Sequence, residues 1–427
     1  MLSDLHFDPY SDPAIMEELG AKLLPGCGAP AAASYSRFGS DTNYPLLKST
    51  LENVTAMAAT NHIHYDYAII TGDFLVHDFD TTYRKCVGGG AESYRKFARD
   101  TLGFVDREIA KALPGVPTFA ALGNNDSDQG DYAEPSDSFL QDVGRDWSHA
   151  WGKFPPAARE KALASFTRAG NYAVPSPVTP KHDFVILNSN LWVARNTQAC
   201  SDADPDPRGQ FQWLVQVLGD VKRAGGTASL VLHILPGVDA MKSSLGAPRL
   251  LWTDRCTQRF IAVLSDFRGV VDGMYAGHIH RDDFRLLPDR EGHPLLSIHV
   301  VPSVSPVYLN NPAVEIGWYD RKNGELRDYA PFYLDLTSPQ PAWAMEYVFS
   351  QAYGRGQVNL DVIGELSRAI QQHSSQSGVG KSYARYYAAG APSLLTPDNW
   401  LTYTCTQTEM TLSDYAHCKL AGAGPHP

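Results

Sequence analysis

The 427-residue chain has no apolar run near the roughly 20 residues that a helix needs to cross a bilayer. It has no internal repeat and no low-complexity tract, which excludes a solenoid or a disordered linker protein. None of its six cysteines stands in a Cys-x-x-Cys pair, an argument against a zinc knuckle or a dithiol redox motif. Basic stretches are missing too. The formal net charge is −11, and no cluster stands ready to neutralise the phosphates of a nucleic acid. The acidic balance leaves a phosphorylated substrate open, because bound cations reverse the local sign. With 43% hydrophobic and 19% charged residues, the chain is an ordinary globular protein. It is long enough for one large core or for a catalytic domain with a smaller companion.

Cys27, Cys86, Cys200, Cys256, Cys405 and Cys418 are even in number and scattered through loops, the last two close together. That suits disulfides in an oxidising compartment (secreted, periplasmic or lysosome-like) better than buried thiols in a cytosolic enzyme. No signal peptide opens the chain. Ser3-Asp4-Leu5-His6 reads as the end of a first strand, with only Met1 and Leu2 ahead of it. Either a leader and part of that strand are expected ahead of these residues, or the start is misassigned.

What is present is a series of apolar runs that each end in a polar group. After a Pro/Gly/Ala-rich loop to about Ser40, helical spacing predicts a helix over 42–62 with Leu47, Leu51 and Val54 on one face. The strand 67–71 ends in Gly72-Asp73, and a second helix carries Tyr94, Phe97, Val105 and Ile109. The strand 116–122 then ends in Gly123-Asn124-Asn125-Asp126. Strand, helix and strand in this order imply a parallel sheet, whose ligands gather beyond the carboxyl ends of the strands. A polar, aromatic-rich insertion over 127–180 is left unassigned. Phe184–Leu187 is a strand, followed by a helix over 209–224 with Phe211, Leu214, Val215, Leu218 and Val221 inward. Further strands deliver His233 and then Gly277-His278-Ile279-His280. Residues 295–336 predict antiparallel strands forming a second sheet, and the pattern beyond Pro341 is helical to the end.

In order, the strand ends supply Asp4-x-His6, Asp73, Asn124, His233 and His278-x-His280. Carboxylate and amide oxygens mixed with imidazole nitrogens suit zinc, manganese or iron better than magnesium alone. Seven such groups are too many for one ion and about right for two, with a carboxylate such as Asp73 as the bridge. Each has a plainer reading as a cap, a turn residue or a hydrogen-bonded histidine. His62-x-His64, which precedes its strand, shows that His-x-His also arises without function. The joint pattern carries the weight, since every element closes an apolar strand.

This ordered set resembles the calcineurin-like metallophosphoesterases. Thr71-Gly72-Asp73 with His77-Asp78, Leu187-Asn188-Ser189-Asn190-Leu191, Gln212-Trp213-Leu214, the stretch Pro302–Pro312, and Glu346-Tyr347 with Ala352-Tyr353 narrow the resemblance. The narrower match is to acid sphingomyelinase-like phosphodiesterases, and it covers nearly the whole chain. The resemblance implies an α/β fold of two packed mixed β-sheets flanked by helices over 1–340, with a C-terminal helical subdomain over 341–427. It implies two divalent ions, usually zinc. Asp4, His6, Asp73 and His280 would hold the first, and Asp73, Asn124, His233 and His278 the second. A metal-bridging hydroxide would attack phosphorus in line.

The sequence departs from the family at Asn125, where a histidine often serves as general acid. Asparagine cannot deliver a proton at neutral pH. In the acid sphingomyelinase-like branch a second histidine lies four residues after the bridging aspartate, and the resemblance thereby implies the acid role for His77. The plainer reading of His77 is a residue that orients a metal ligand. Asn125 is left at most a hydrogen bond to phosphate. The expected substrate is a small phosphodiester, a nucleotide or a phospholipid headgroup. No saposin-like domain is expected ahead of the catalytic part, and that expectation favours soluble diesters over bilayer sphingomyelin. Endopolyphosphatase or nucleotide phosphohydrolase activity is the alternative within the class. An inactive, metal-dependent binder of a phosphorylated ligand is the alternative outside it.

Overall fold

The computed structural model describes residues 1–27 and 34–422. Part of the Pro/Gly/Ala-rich loop expected before Ser40, residues 28–33, lies outside them. The strands, in chain order, are β1 (Ala68–Ile70), β2 (Thr118–Ala120), β3 (Tyr172–Pro175), β4 (His182–Ile186), β5 (Thr227–Val231) and β6 (Val271–Ala276). They continue with β7 (Asp283–Pro288), β8 (Pro294–Val300), β9 (Ala313–Tyr319), β10 (Leu326–Leu334) and β11 (Trp343–Met345).

The first sheet has the order β3-β4-β5-β6-β8-β7. Strands β4, β5, β6 and β8 run parallel, with β3 and β7 antiparallel at its edges. The second sheet is assembled around the chain start. Strands β1 and β2 are parallel neighbours, and Leu2 forms a parallel bridge to Ile70. On its other side Met1 exchanges two backbone hydrogen bonds with Glu315 of β9, at 2.7 and 3.1 Å. Strands β10 and β11 continue antiparallel from β9. Residues 1–4 thus act as the seam between two otherwise separate ladders.

The two sheets pack face to face. Phe184, Ile186, Val231 and Tyr275 of the first meet Ile69, Phe119, Val314 and Ile316 of the second in one buried core. Helices Tyr44–Thr60 and Ala91–Ala112 cover β1 and β2 with the apolar faces expected of them. The first of these is opened by Asn43, whose side chain accepts from the Leu46 amide. Helices Gln210–Arg223 and Asp254–Asp266 cover the outer face of the first sheet.

Three expectations change. Val215 is 42% exposed, because the buried arc of its helix runs through Phe211, Leu214, Val217, Leu218 and Val221 and passes beside it. Strand β8 belongs to the first sheet and runs parallel to β6, which suits its nearly unbroken apolar sequence. Trp343 sits in strand β11, paired with Leu334, in place of the expected helix. The unassigned insertion holds two helices, Asp137–Ser148 and Pro156–Ala169, and strand β3.

Beyond β11 the described chain is helical. Helix Leu360–Gln372 buries Ile363, Leu366 and Ile370 against Phe284 and Leu286 of β7 and Tyr329 of β10. The disulfides are Cys27–Cys86, Cys200–Cys256 and Cys405–Cys418. They suit an oxidising compartment. No helix among the described residues is long and apolar enough to cross a membrane.

Candidate metal centre and active site

Parallel strands point their carboxyl ends to one rim, so the turns after β1, β2, β5 and β6 are brought together there. The turn after β1 takes Gly72 to φ 99° and Asp73 to φ 58°. A side chain at Gly72 would lie 2.7 Å from the Gly123 amide nitrogen, so the two loops approach as closely as glycine allows. Asp126 locks them together. Its carboxylate accepts from the backbone N–H groups of Asp73, Phe74, Leu75 and Gly123, at 2.8–3.1 Å. Asp4, His6, His278 and His280 also take left-handed φ, between 42° and 72°. Five of the seven residues expected as ligands therefore hold a backbone costing about 1–3 kcal/mol each. Strain gathered at one rim is a mark of a built site.

Asp73 lies at the centre. Its Oδ2 is 3.3 Å from His6 Nε2 and 3.0 Å from His233 Nε2. On the His6 side, His280 Nε2 is 3.3 Å from Asp4 Oδ1 and 3.1 Å from His6 Nε2. On the other side, Asn124 Oδ1 is 3.1 Å from His233 Nε2, and the donor atoms of Asp73, His233 and His278 lie within 4.8 Å of one another. His6 Nδ1 donates to the Leu75 carbonyl at 3.0 Å, and His233 Nδ1 to that of Thr71 at 2.8 Å. Both rings therefore turn an Nε2 lone pair inward. Lone pairs that converge on carboxylates this closely need a proton or a cation between them.

The electrostatics agree. Burial opposes charge on Asp73, yet His233 and His6 outweigh it and hold its carboxyl well below the usual range. His6 is pushed up to about 10 against burial, chiefly by Asp73. His233 is pushed up to about 9 in the same way. His278 and His280 are driven well below 6.5, by burial first and then by neighbouring imidazoles, so both remain neutral donors. The carboxylates demand positive charge, and divalent metal ions satisfy that demand with the donor set this rim provides.

His77 borders the cluster. Its ring stacks on His6 with centroids 3.9 Å apart, and its Nδ1 lies 3.0 Å from Asp41 Oδ1. Its Nε2 faces a cavity of about 140 Å³, with the Tyr308 hydroxyl 3.4 Å away. The cavity is walled on one side by Asp73, Asn124, His278 and His280, and elsewhere by Arg195, Lys242, Arg281 and Tyr132. Arg195 lies over the Tyr132 ring at 4.0 Å. Apolar cavities of about 310 and 270 Å³ lie away from these side chains. Asn125 turns inward. Its backbone N–H and its Nδ2 donate to the two Asp73 oxygens at 2.9 and 3.0 Å, and it is only 3% exposed.

Sequence reasoning assigns no role to Asp126, Asp41, Arg281 or the Arg195–Tyr132 pair. Asp126 is visible as the last residue of Gly123-Asn124-Asn125-Asp126, and Arg281 as the neighbour of His280. Asp41 and Arg195 stand in loops whose sequence carries no periodic signal.

No protein-family model matches the chain. Among curated proteins it is 24% identical to human acid sphingomyelinase-like phosphodiesterase 3b over 446 residues, covering 100% of this chain and 91% of that protein. It is 26% identical to sphingomyelinase phosphodiesterase D of Dictyostelium discoideum, over 92% of this chain and 83% of that protein. It is 24% identical to human cyclic GMP-AMP phosphodiesterase SMPDL3A, over 73% of this chain and 68% of that protein. The likeness to acid sphingomyelinase-like phosphodiesterases thus runs along the whole length of the chain, and the Asp and His residues that could hold metal ions converge at one rim.

Proposed function

We propose that the chain is a zinc-dependent hydrolase of soluble phosphodiesters, acting from this rim, with nucleotide diesters as the favoured class. The observation that carries the reading is the placement of Asp73 Oδ2 between His6 Nε2 and His233 Nε2. One carboxylate is thereby shared by two donor sets. Asp4, His6, Asp73 and His280 would hold one ion, and Asp73, Asn124, His233 and His278 a second. When bound, such ions supply the Lewis-acid charge that lowers the pKa of an attacking water and draws off charge from the phosphoryl oxygens.

The rest is the work of the chain. His77 presents Nε2 to the cavity and donates the proton that the leaving alkoxide needs, a role worth about 10²–10⁴-fold in rate. Asn125, whose backbone N–H and Nδ2 each donate to an Asp73 oxygen, acts as a positioning residue for that carboxylate. Arg195, Lys242, Arg281 and Arg285 line the cavity beside Asp131 and Asp239, a cationic excess on that wall in a chain that is acidic overall. That wall supports anionic substrates, and it is the feature that keeps polyphosphate as a second reading. The name of one relative specifies a cyclic dinucleotide and that of another a sphingolipid diester. The small cavity favours the soluble class. Secretion into an oxidising space fits the three disulfides.

Release of nitrophenol from bis-(p-nitrophenyl) phosphate tests the reading. Turnover abolished by a chelator and restored by zinc or manganese is the expected result. No turnover with metal demonstrably bound would establish the binding protein instead.

A further inference from the structure

We infer that Asp41 is a positioning residue for proton transfer, fixing the ring of His77 so that Nε2 faces the leaving group. The inference rests on the reading of His77 as proton donor. Both Asp41 oxygens lie near His77 Nδ1, at 3.0 and 3.2 Å. A carboxylate only accepts, so Nδ1 carries its hydrogen toward Asp41 and Nε2 is the atom left for chemistry. Ser305 holds the carboxylate from behind, its Oγ donating to Oδ1 at 2.9 Å.

Asp41 is itself placed by the segment that carries a ligand. The Thr42 amide donates to the His6 carbonyl at 3.1 Å, and the Asp8 amide to the Thr42 carbonyl at 2.8 Å, in a parallel bridge between Phe7 and Thr42. Asn43 then opens the helix Tyr44–Thr60. Backbone hydrogen bonds thus fix Asp41 to the His6 segment, while the His77 ring stacks on the His6 imidazole at an interplanar angle of 18°. The ring is held on one face by stacking and at one edge by a carboxylate. Among the described residues nothing else selects between its two nitrogens: the one further polar contact, with the Tyr308 hydroxyl, is 3.4 Å from Nε2 and accepts or donates equally well.

The test is the dependence of rate on leaving group in the metal-loaded enzyme, using methyl aryl phosphates that run from p-nitrophenyl to unsubstituted phenyl. For Asp41→Asn, a loss of about 10–100-fold is expected on the phenyl ester and under about 3-fold on the nitrophenyl ester, with KM unchanged. In a His77→Ala background Asp41→Asn should cost nothing further. Equal losses on both esters, no loss at all, or a loss that persists without His77 would overturn the role of Asp41. If His77→Ala itself loses equally on both esters, the proton-donor reading fails first and this one with it. Should Asp41→Asn not fold, Ser305→Ala takes its place. It is expected to give the same selective loss at smaller size, and an unselective one counts against the inference.

Discussion

At Gly123 the space for a side chain is already taken. A methyl there would overlap the Asp73 amide nitrogen and carboxylate. Gly123→Ala should therefore push Asp73 out of place, costing about 1–3 kcal/mol of stability and most of the bound metal, read by calorimetry and elemental analysis. Gly219→Ala is the contrast. It lies in helix Gln210–Arg223, and a methyl would meet nothing nearer than the Arg223 guanidinium at 3.5 Å. Helix propensity favours that change by up to about 1 kcal/mol, with the metal unaffected. At this scale the sequence is legible wherever a residue type restricts chemistry. Asp, His and Asn at strand ends are such residues, and all seven lie at one rim. It is less legible where a residue acts through the backbone. Asp126 serves four amides from four positions, and no spacing rule encodes that. In the sequence the Asn125 amide reads as free for phosphate, but the rim turns it onto Asp73.

Elements are legible where both sides of a strand or one face of a helix are buried, as in β5 and in the helix Ala91–Ala112. The short strands β1 and β2 show in their apolar runs and the turns that end them. Strand β11 does not, because three residues behind a proline-rich turn carry too little pattern to outweigh the helical stretch beyond them. Glu346, the residue after β11, has both carboxylate oxygens buried with no hydrogen-bond partner among the described residues. Burial raises its pKa to about 8 from 4.5, against the opposing charge of Arg385. The fold thus prefers the protonated acid, and the stability it contributes is complete below about pH 4.5 and lost as pH rises through about 8. Glu346→Gln cannot ionise. Its melting temperature should track that of the parent near pH 5 and exceed it at pH 8.5; parallel curves across that range would show that Glu346 does not titrate as described.

For the molecule as a whole, two layers with helices outside are legible from the alternation of strands and helices. The assignment of β8 is not, since a run buried on both faces fits either sheet. Opposed lone pairs and carboxylates at the rim mean that the folded state is stabilised by whatever cation it holds. Chelation should lower the melting temperature by several degrees, about 2.7 kcal/mol for a free ion present at 100 times its dissociation constant. Zinc or manganese should restore it in a concentration-dependent way. A melting curve indifferent to both would mean that the rim takes no metal.

The seam at residues 1–4 also has a consequence in time. Met1 meets Glu315 across 314 positions, and the donors of the rim run from Asp4 to His280. A growing chain on the ribosome holds Asp4 and His6 early but lacks their partners until His280 has emerged. The second sheet joins only once β9 is made. Contacts this remote in sequence form late. A chain terminated before His280 would therefore lack part of the donor set, and with it the rim on which the proposed chemistry depends.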